Sequence, residues 1–183
     1  MEVTETKLDG VLIIKPQVFR DDRGWFFESY TLEKLGTYGI NTVFIQDNRA
    51  RSNIRGTLRG LHFQKDPDAQ SKLLHCTRGE VLDVAVDIRK GSPTYCEWVA
   101  LVLSEENMLQ VYIPAGFAHG YITLTDNAEV QYKVDKYYSP EHDRSIRYDD
   151  PVFGIDWTVR SPILSDKDKN APFLKDSDNS FIW

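Results

Sequence analysis

Short runs in which apolar and polar residues alternate recur along most of the chain, separated by turn residues. A period of two with β-branched and aromatic residues at the apolar positions predicts β-strands. Turn residues fall between these runs, as at Arg78-Gly79 and Pro114-Ala115-Gly116. The predicted strands are Val11–Lys15, Trp25–Tyr30, Val43–Asn48, Thr57–Gln64, Lys72–Thr77, Glu80–Ile88, Glu97–Leu103, Leu109–Ile113, His119–Thr125 and Ala128–Asp135.

Helical periodicity is weak. Thr31–Tyr38 predicts one short helix that Gly36 or Gly39 ends, and Ser165–Asn170 predicts a single helical turn. The terminal Phe181-Ile182-Trp183 either docks on the body of the protein or frays. Many short strands and few helices predict an all-β sandwich or barrel. We expect one domain over 1–183, with the polar segment from about residue 139 packing on the barrel.

Composition narrows the possible partners. The chain has 183 residues and a net charge of −6, from 22 Lys and Arg against 28 Asp and Glu, which argues against binding to duplex nucleic acid. No apolar run approaches the roughly 18–20 residues of a membrane helix, and the N-terminus does not resemble a signal peptide. We therefore expect a cytoplasmic protein with no membrane contact. Cys76 and Cys96 are expected to be buried, reduced thiols, because their spacing fits no metal site.

Charge is unevenly placed along this acidic chain. Between Arg49 and Arg78 there are seven basic residues and two acidic ones, a local charge of +5. A basic patch beside aromatic residues suits an anionic ligand that also carries a ring. The alternative interpretation is a solvated basic edge strand.

Two histidines are candidates for chemistry inside a barrel. Strand alternation puts His62 and Gln64 on one face of Thr57–Gln64, and a Pro-x-Gly turn precedes His119. Either the histidines are structural core residues, or one of them is a base, since an imidazole is well matched to proton abstraction at neutral pH. A stable divalent metal site needs about three His, Cys or carboxylate ligands, so we expect no catalytic metal.

Two further polar side chains are predicted to point inward. Tyr132 shares a strand face with Val130 and Val134, so it is either a structural phenol or a proton donor. Lys72 opens a strand, where its ammonium either stabilises an oxyanion or is solvated.

The two histidine segments resemble the two signature stretches of the cupin superfamily, whose fold is a double-stranded β-helix jelly roll. In metal-binding cupins the first stretch has a second His, and here Gln64 replaces it. A wider set of motifs, in order along the chain, resembles the dTDP-4-dehydrorhamnose 3,5-epimerase family. These motifs are Val18-Phe-Arg-Asp-Asp-Arg23-Gly-Trp-Phe-Phe-Glu28, Gln46-Asp-Asn48, Arg59-Gly-Leu-His62-Phe-Gln64, the run from Gly79 to Lys90, Ile113-Pro-Ala-Gly-Phe-Ala-His119-Gly and Tyr137-Tyr138-Ser-Pro.

The resemblance implies a homodimeric jelly roll without a cofactor, in which N-terminal strands cross to the partner. The implied reaction inverts C3 and C5 of dTDP-4-dehydro-6-deoxy-D-glucose through enolates, giving dTDP-4-dehydro-6-deoxy-L-mannose. His62 is implied as the base, Asp168 as the carboxylate that orients it, Tyr132 as the proton donor and Lys72 as the group that stabilises the enolate.

The resemblance also implies a substrate-binding set. His119 and Arg59 match groups around the sugar and diphosphate, and Asp83 is implied to orient His119. Tyr138 matches the ring that stacks on thymine, with Phe19 close by. The matches to nucleotide-binding positions, some of which reach the partner's site, are Arg23, Glu28, Gln46, Asp47, Asn48 and Lys167. One position departs from the family pattern, because Asp143 stands where relatives often have Glu.

The sequence leaves competing functions open. A relative that inverts only C3 or only C5 would keep the same base. A sugar-nucleotide 3,4-ketoisomerase on the same fold would lack the stretch from Arg59 to Gln64. A metal-dependent cupin enzyme and a catalytically silent sugar-binding cupin are the alternatives from other classes.

Overall fold

The computed structural model describes residues 1–183 and is built from two antiparallel sheets and a separate hairpin. The all-β jelly-roll class predicted from the strand pattern and the family resemblance is confirmed. The strands are β1 Glu2–Glu5, β2 Leu12–Lys15, β3 Phe19–Asp21, β4 Gly24–Phe26, β5 Gln46–Ser52, β6 Leu58–Gln64, β7 Lys72–Arg78, β8 Glu80–Asp87, β9 Trp98–Ser104, β10 Gln110–Ile113, β11 Phe117–Thr123, β12 Ala128–Val134 and β13 Asp143–Ser145.

The helices are short: α1 spans Leu32–Gly36, α2 spans Asp166–Lys169, and a 3-10 helix spans Leu174–Asp176. None of them has the length and apolar character needed to cross a membrane. One sheet has the strand order β1-β2-β10-β7-β12-β5, the other has the order β13-β6-β11-β8-β9, and β3 pairs only with β4.

The predicted strand bounds were wrong where polar residues form strands. The strand expected at Val43–Asn48 is β5, which begins at Gln46, and the strand expected at Trp25–Tyr30 shrinks to β4. Strands β1, β3 and β13 were not predicted. These segments are rich in charged residues and lack an apolar face, so hydrophobic periodicity gives no signal for them.

Three apolar clusters hold the layers together. The first, which includes Leu74, Ala85 and Val130, fills the space between the two sheets. The second covers the outer face of the five-stranded sheet, and the third lies under α1 on the outer face of the six-stranded sheet. Strand β8 is nearly fully buried because both of its faces are covered, which explains the apolar residues on its outward side.

The C-terminal segment supplies the cover of the five-stranded sheet. Phe153, Trp157 and Phe181 belong to the cluster on that outer face. The tail docks rather than frays, because the Trp183 N–H donates to the Lys90 carbonyl at 3.0 Å and the Lys90 N–H donates to the Phe181 carbonyl at 3.0 Å. The segment that carries α2 is thereby fixed against the barrel.

A pair of glycines lets β6 and β11 approach closely next to the two histidines. A Cβ at Gly60, whose φ is +143°, would lie 2.5 Å from the Gly120 Cα. A Cβ at Gly120 would lie 2.9 Å from the Arg59 carbonyl oxygen and 3.0 Å from the Gly60 Cα. Since both obstructing groups are backbone, only glycine fits this approach.

We predict that Gly120→Ala lowers the free energy of unfolding by about 2 kcal/mol, because the added methyl group forces the two strands apart. Gly36→Ala is the control, since a Cβ there meets only the Asn41 side chain, at 3.2 Å. Urea unfolding of both variants measures the difference. Equal stability of Gly120→Ala and the wild type would show that the close approach is not required.

Candidate active site

A cavity of about 400 Å³ opens between the two sheets. The five-stranded sheet contributes Arg59, His62, His119 and Tyr121, and the six-stranded sheet contributes Ala50, Lys72 and Tyr132. Ile163, Leu164, Ser165 and Asp168 close it from the C-terminal segment. A second cavity of about 280 Å³ adjoins it and shares His62, Lys72 and Tyr132. Together they form an elongated pocket.

A bulge in β6 determines which side chains face this pocket. His119 pairs with His62 and Tyr121 pairs with Arg59, so β6 has one more residue than β11 between the two pairs. Strict alternation would put Arg59 and His62 on opposite faces, whereas the extra residue lets both line the cavity. The Arg59 guanidinium then donates to the Ser52 hydroxyl at 3.2 Å and to the Arg51 carbonyl at 3.1 Å.

His62 is bonded to a buried carboxylate. Its Nε2 lies 2.5 Å from the Asp168 Oδ1, and the Asp168 side chain is 3% exposed. The Ser165 hydroxyl donates to the other carboxylate oxygen at 2.8 Å and accepts the Asp168 N–H at 3.1 Å. Burial raises the pKa of Asp168, but the hydrogen bonds from His62 and Ser165 outweigh it and leave that pKa lowered. The carboxylate is therefore ionised and fixed in orientation.

A second buried histidine and carboxylate lie beside the first pair. The His119 Nε2 is 2.7 Å from the Asp83 Oδ2, and both residues are buried. Burial lowers the pKa of His119 although Asp83 acts in the opposite direction. The neutral imidazole donates to Asp83, which leaves its Nδ1 as an acceptor.

Lys72 faces this pocket without an ion-pair partner, since no salt bridge or hydrogen bond of its ammonium occurs within the chain. Burial lowers the pKa of Lys72 to about 8, with Asp83 and Asp143 acting in the opposite direction. The site thus contains a positive charge that an incoming anion can neutralise.

Tyr132 stands on the opposite wall from His62. Burial raises the pKa of its phenol, and Arg59 only partly offsets this effect. The phenol is therefore protonated at neutral pH and available as a proton donor.

The second cavity has a more polar wall. It is lined by Gln46, Asn48, Tyr138, Asp143 and Lys167. The Asp143 carboxylate accepts from the Lys167 ammonium and, at 3.3 Å, from the Tyr138 hydroxyl. Because Lys167 and Asp168 are neighbours on α2, this wall is directly joined to the carboxylate that holds His62.

Four residues of the predicted site lie outside the pocket of this chain. Phe19 and Arg23 belong to the separate β3–β4 hairpin, where the Arg23 guanidinium pairs with Asp21. Glu28 pairs with Lys34 on α1. The exposed Asp47 pairs with Lys133 at 2.7 Å on the outer face of the six-stranded sheet.

Two site residues escaped the sequence analysis. Tyr121 was assigned no role, yet it lines the cavity. Ser165 was not assigned a role, although its hydroxyl fixes Asp168. The spacing Ser-x-x-Asp is a capping pattern at a helix start, and this signal identifies Ser165 as an N-cap residue.

The arrangement supports proton transfer at carbon next to a carbonyl. A carboxylate-held imidazole on one wall, with a protonated phenol and an unpaired ammonium on the other, provides a base, an acid and a cation for an oxyanion. No group of three or more His, Cys, Asp or Glu side chains is arranged to hold a metal ion.

Comparisons with known proteins give a consistent result. The chain matches the family model described as dTDP-4-dehydrorhamnose 3,5-epimerase over residues 5–176. It is 51% identical over 178 residues to the enzyme of that name from Salmonella typhimurium, covering 95% of this chain and 96% of the relative. It is 48% identical to the enzyme of that name from Shigella flexneri, covering 97% and 98%.

Solved structures agree with this similarity. A dTDP-4-dehydrorhamnose 3,5-epimerase from Bacillus anthracis with TDP and PPi bound superposes with a TM-score of 0.92 at 47% identity, covering 94% of this chain and 98% of that one. A 3,5-epimerase from Legionella pneumophila in complex with dTDP-4-keto-L-rhamnose gives 0.91 at 45%, covering 95% and 93%. A 3′-monoepimerase from Streptomyces bikiniensis in complex with dTDP-quinovose gives 0.87 at 36%, covering 93% and 86%.

We predict that Lys72→Met raises the free energy of unfolding at pH 7 by about 2 kcal/mol, because it removes a partly buried, unpaired charge. In the wild type the unfolded state binds the Lys72 proton more tightly, since the folded pKa is about 8 and the ordinary value is 10.5. The free energy of unfolding of the wild type therefore rises relative to that of the variant as the pH increases between these two values.

Urea unfolding at pH 7 and pH 10 measures the difference in free energy of unfolding between Lys72→Met and the wild type. Lys90→Met, at an exposed position, is the control. The difference is expected to narrow at pH 10, while the control changes stability by less than about 0.5 kcal/mol at either pH. A variant less stable than the wild type at pH 7 would show that Lys72 is paired.

Proposed function

The chain belongs to the dTDP-4-dehydrorhamnose 3,5-epimerase family and is a carbohydrate epimerase with a dTDP-sugar substrate; from that premise we propose how its residues invert C3 and C5 of dTDP-4-dehydro-6-deoxy-D-glucose. The product is dTDP-4-dehydro-6-deoxy-L-mannose. Both carbons flank the C4 ketone, so loss of either proton gives an enolate whose negative charge lies on the C4 oxygen. Return of a proton to the opposite face inverts the centre.

His62 is the proposed base. The 2.5 Å bond between its Nε2 and the Asp168 carboxylate places the proton of the neutral ring on Nε2 and leaves a lone pair on Nδ1. A gluco-configured ring carries its C3 and C5 hydrogens on the same face, so one base reaches both. Asp168 then stabilises the imidazolium that forms when His62 accepts the proton.

Tyr132 is the proposed acid. It comes from β12 in one sheet, and His62 comes from β6 in the other, so the two side chains approach a bound sugar from opposite walls of the cavity. This opposition is the observation that carries the proposal, because inversion requires removal and return of the proton on different faces. After each inversion, solvent returns a proton to the Tyr132 phenolate and removes one from the His62 imidazolium.

Lys72 is the proposed partner of the enolate oxygen. An unpaired, partly buried ammonium gains more from a neighbouring oxyanion than from a neutral ketone, so it stabilises the transition state selectively. His119, held by Asp83, and Arg59 are proposed to contact the sugar and the diphosphate. Tyr138, Asp143, Lys167, Gln46 and Asn48 are proposed to bind the nucleotide in the second cavity.

We also propose a homodimer that completes this site. The β3–β4 hairpin pairs with neither main sheet, and Phe19, Trp25 and Phe26 on it are all more than half exposed. Its Arg23 side chain is 90% exposed. A detached hairpin with exposed aromatic rings and an exposed Arg23–Asp21 pair suits insertion beside the nucleotide pocket of a second copy. In this proposal Phe19 and Arg23 serve the partner's site and so lie outside the pocket of their own chain.

We also propose a single domain and a cytoplasmic location, as expected from the sequence. Residues 1–183 act as one epimerase domain, supported by the core contacts of Trp157 and Phe181 with the barrel. Cys76 and Cys96 are free thiols, which suits the reducing cytoplasm; Cys76 is buried as predicted, whereas Cys96 is only partly buried.

We predict that incubation of the wild-type protein with dTDP-4-dehydro-6-deoxy-D-glucose in D2O places deuterium at both C3 and C5 of the recovered sugar. Mass spectrometry counts the deuterium, and NMR assigns the carbon. Exchange at C3 alone would make the protein a single-centre epimerase like the 3′-monoepimerase from Streptomyces bikiniensis, and exchange at C5 alone would make it a 5-epimerase. No exchange at either carbon would contradict the proposed chemistry altogether.

A further inference from the structure

One side-chain amide at the end of β6 holds both peptide groups that flank Tyr138. The Gln64 Nε2 donates to the Tyr137 carbonyl at 3.1 Å and to the Asp68 carbonyl at 2.8 Å. Its Oε1 accepts the Ser139 N–H at 2.9 Å. Gln64 is 5% exposed, so these bonds are shielded from water.

The Tyr138 side chain makes one hydrogen bond of its own, the 3.3 Å bond from its hydroxyl to Asp143. Tyr138 is 60% exposed and Tyr137 is 68% exposed, and they lie in the connection of residues 135–142 between β12 and β13. The main chain must therefore be held by other contacts if Tyr138 is to keep one position. Gln64 supplies two of them, and the His142 Nδ1, which lies 2.9 Å from the Ser139 Oγ and 2.8 Å from the Asp68 Oδ2, supports the same turn.

Gln64 has no donor left for a ligand. Both hydrogens of its amide nitrogen are used by main-chain carbonyls, although the residue lines the second cavity. Any contribution to binding must then act through the segment that it holds. Because Gln64 pairs with Asp143 across β6 and β13, the same position also sets the start of the strand that carries Asp143.

We propose that Gln64 is a positioning residue that fixes Tyr138 and Asp143 as the wall for the nucleobase of the dTDP-sugar. This inference rests on the proposed function. If the wall is already ordered before binding, binding does not carry the entropy cost of ordering it. Loss of Gln64 should therefore weaken the affinity for the nucleotide. The base, His62, is held by a separate contact to Asp168.

The test measures dTDP affinity by calorimetry and deuterium exchange at saturating substrate for Gln64→Leu. We expect dTDP to bind about tenfold more weakly, the equivalent of about 1.4 kcal/mol. The exchange rate at saturation is expected to fall less than about threefold, since chemistry follows binding. Gln64→Asn, whose amide is withdrawn by one methylene, should weaken dTDP binding in the same direction, and it serves alone if Gln64→Leu does not fold.

Asn107→Ala is the matched control. The Asn107 side chain also makes three hydrogen bonds to the main chain, but in the turn between β9 and β10. It should lose stability comparably and bind dTDP like the wild type. Unchanged dTDP affinity of a folded Gln64 variant would overturn the inference, as would a loss confined to the saturated rate. A wild type that neither binds dTDP nor exchanges would instead refute the proposed function.

Discussion

The hydrogen bond between His62 and Asp168 joins the barrel wall to the C-terminal segment, and the arrangement of the site depends on it. Asp168 keeps its orientation because Ser165 caps α2 and bonds the second carboxylate oxygen. The helix keeps its place because the segment around it buries aromatic side chains against the outer face of the five-stranded sheet. Packing far from the cavity thus determines the orientation of one imidazole.

The site also places polar side chains at interior positions between the two sheets, where apolar side chains would stabilise the fold more. Lys72 and the pair of His119 and Asp83 occupy interior positions that apolar residues fill elsewhere between the sheets. In the proposed mechanism these groups provide a preorganised field for an enolate without reorganisation of solvent. The bulge in β6 and the glycine contact with β11 serve the same end, because they bring Arg59 to the face that His62 already occupies.

Part of this fold could be predicted from alternation alone, since β12 carries Val130, Tyr132 and Val134 inward and polar residues outward. Strand β5 was misplaced because its inward side chains line a polar cavity. The link between His62 and Asp168 spans 106 positions, and no local pattern reveals it; only the family resemblance singled out Asp168. Arg23 lies outside the pocket because the β3–β4 hairpin pairs with neither main sheet. Hydrophobic periodicity cannot predict the position of such a hairpin.

The central claim is that His62 is the base and that the remaining pocket binds the nucleotide independently of it. The most direct measurement compares His62→Asn with the wild type for deuterium incorporation at C3 and C5 and for dTDP affinity. The account predicts that incorporation falls by at least about a hundredfold, the lower range for loss of a general base, while dTDP binds with nearly unchanged affinity. Equal incorporation in the variant and the wild type would contradict the account.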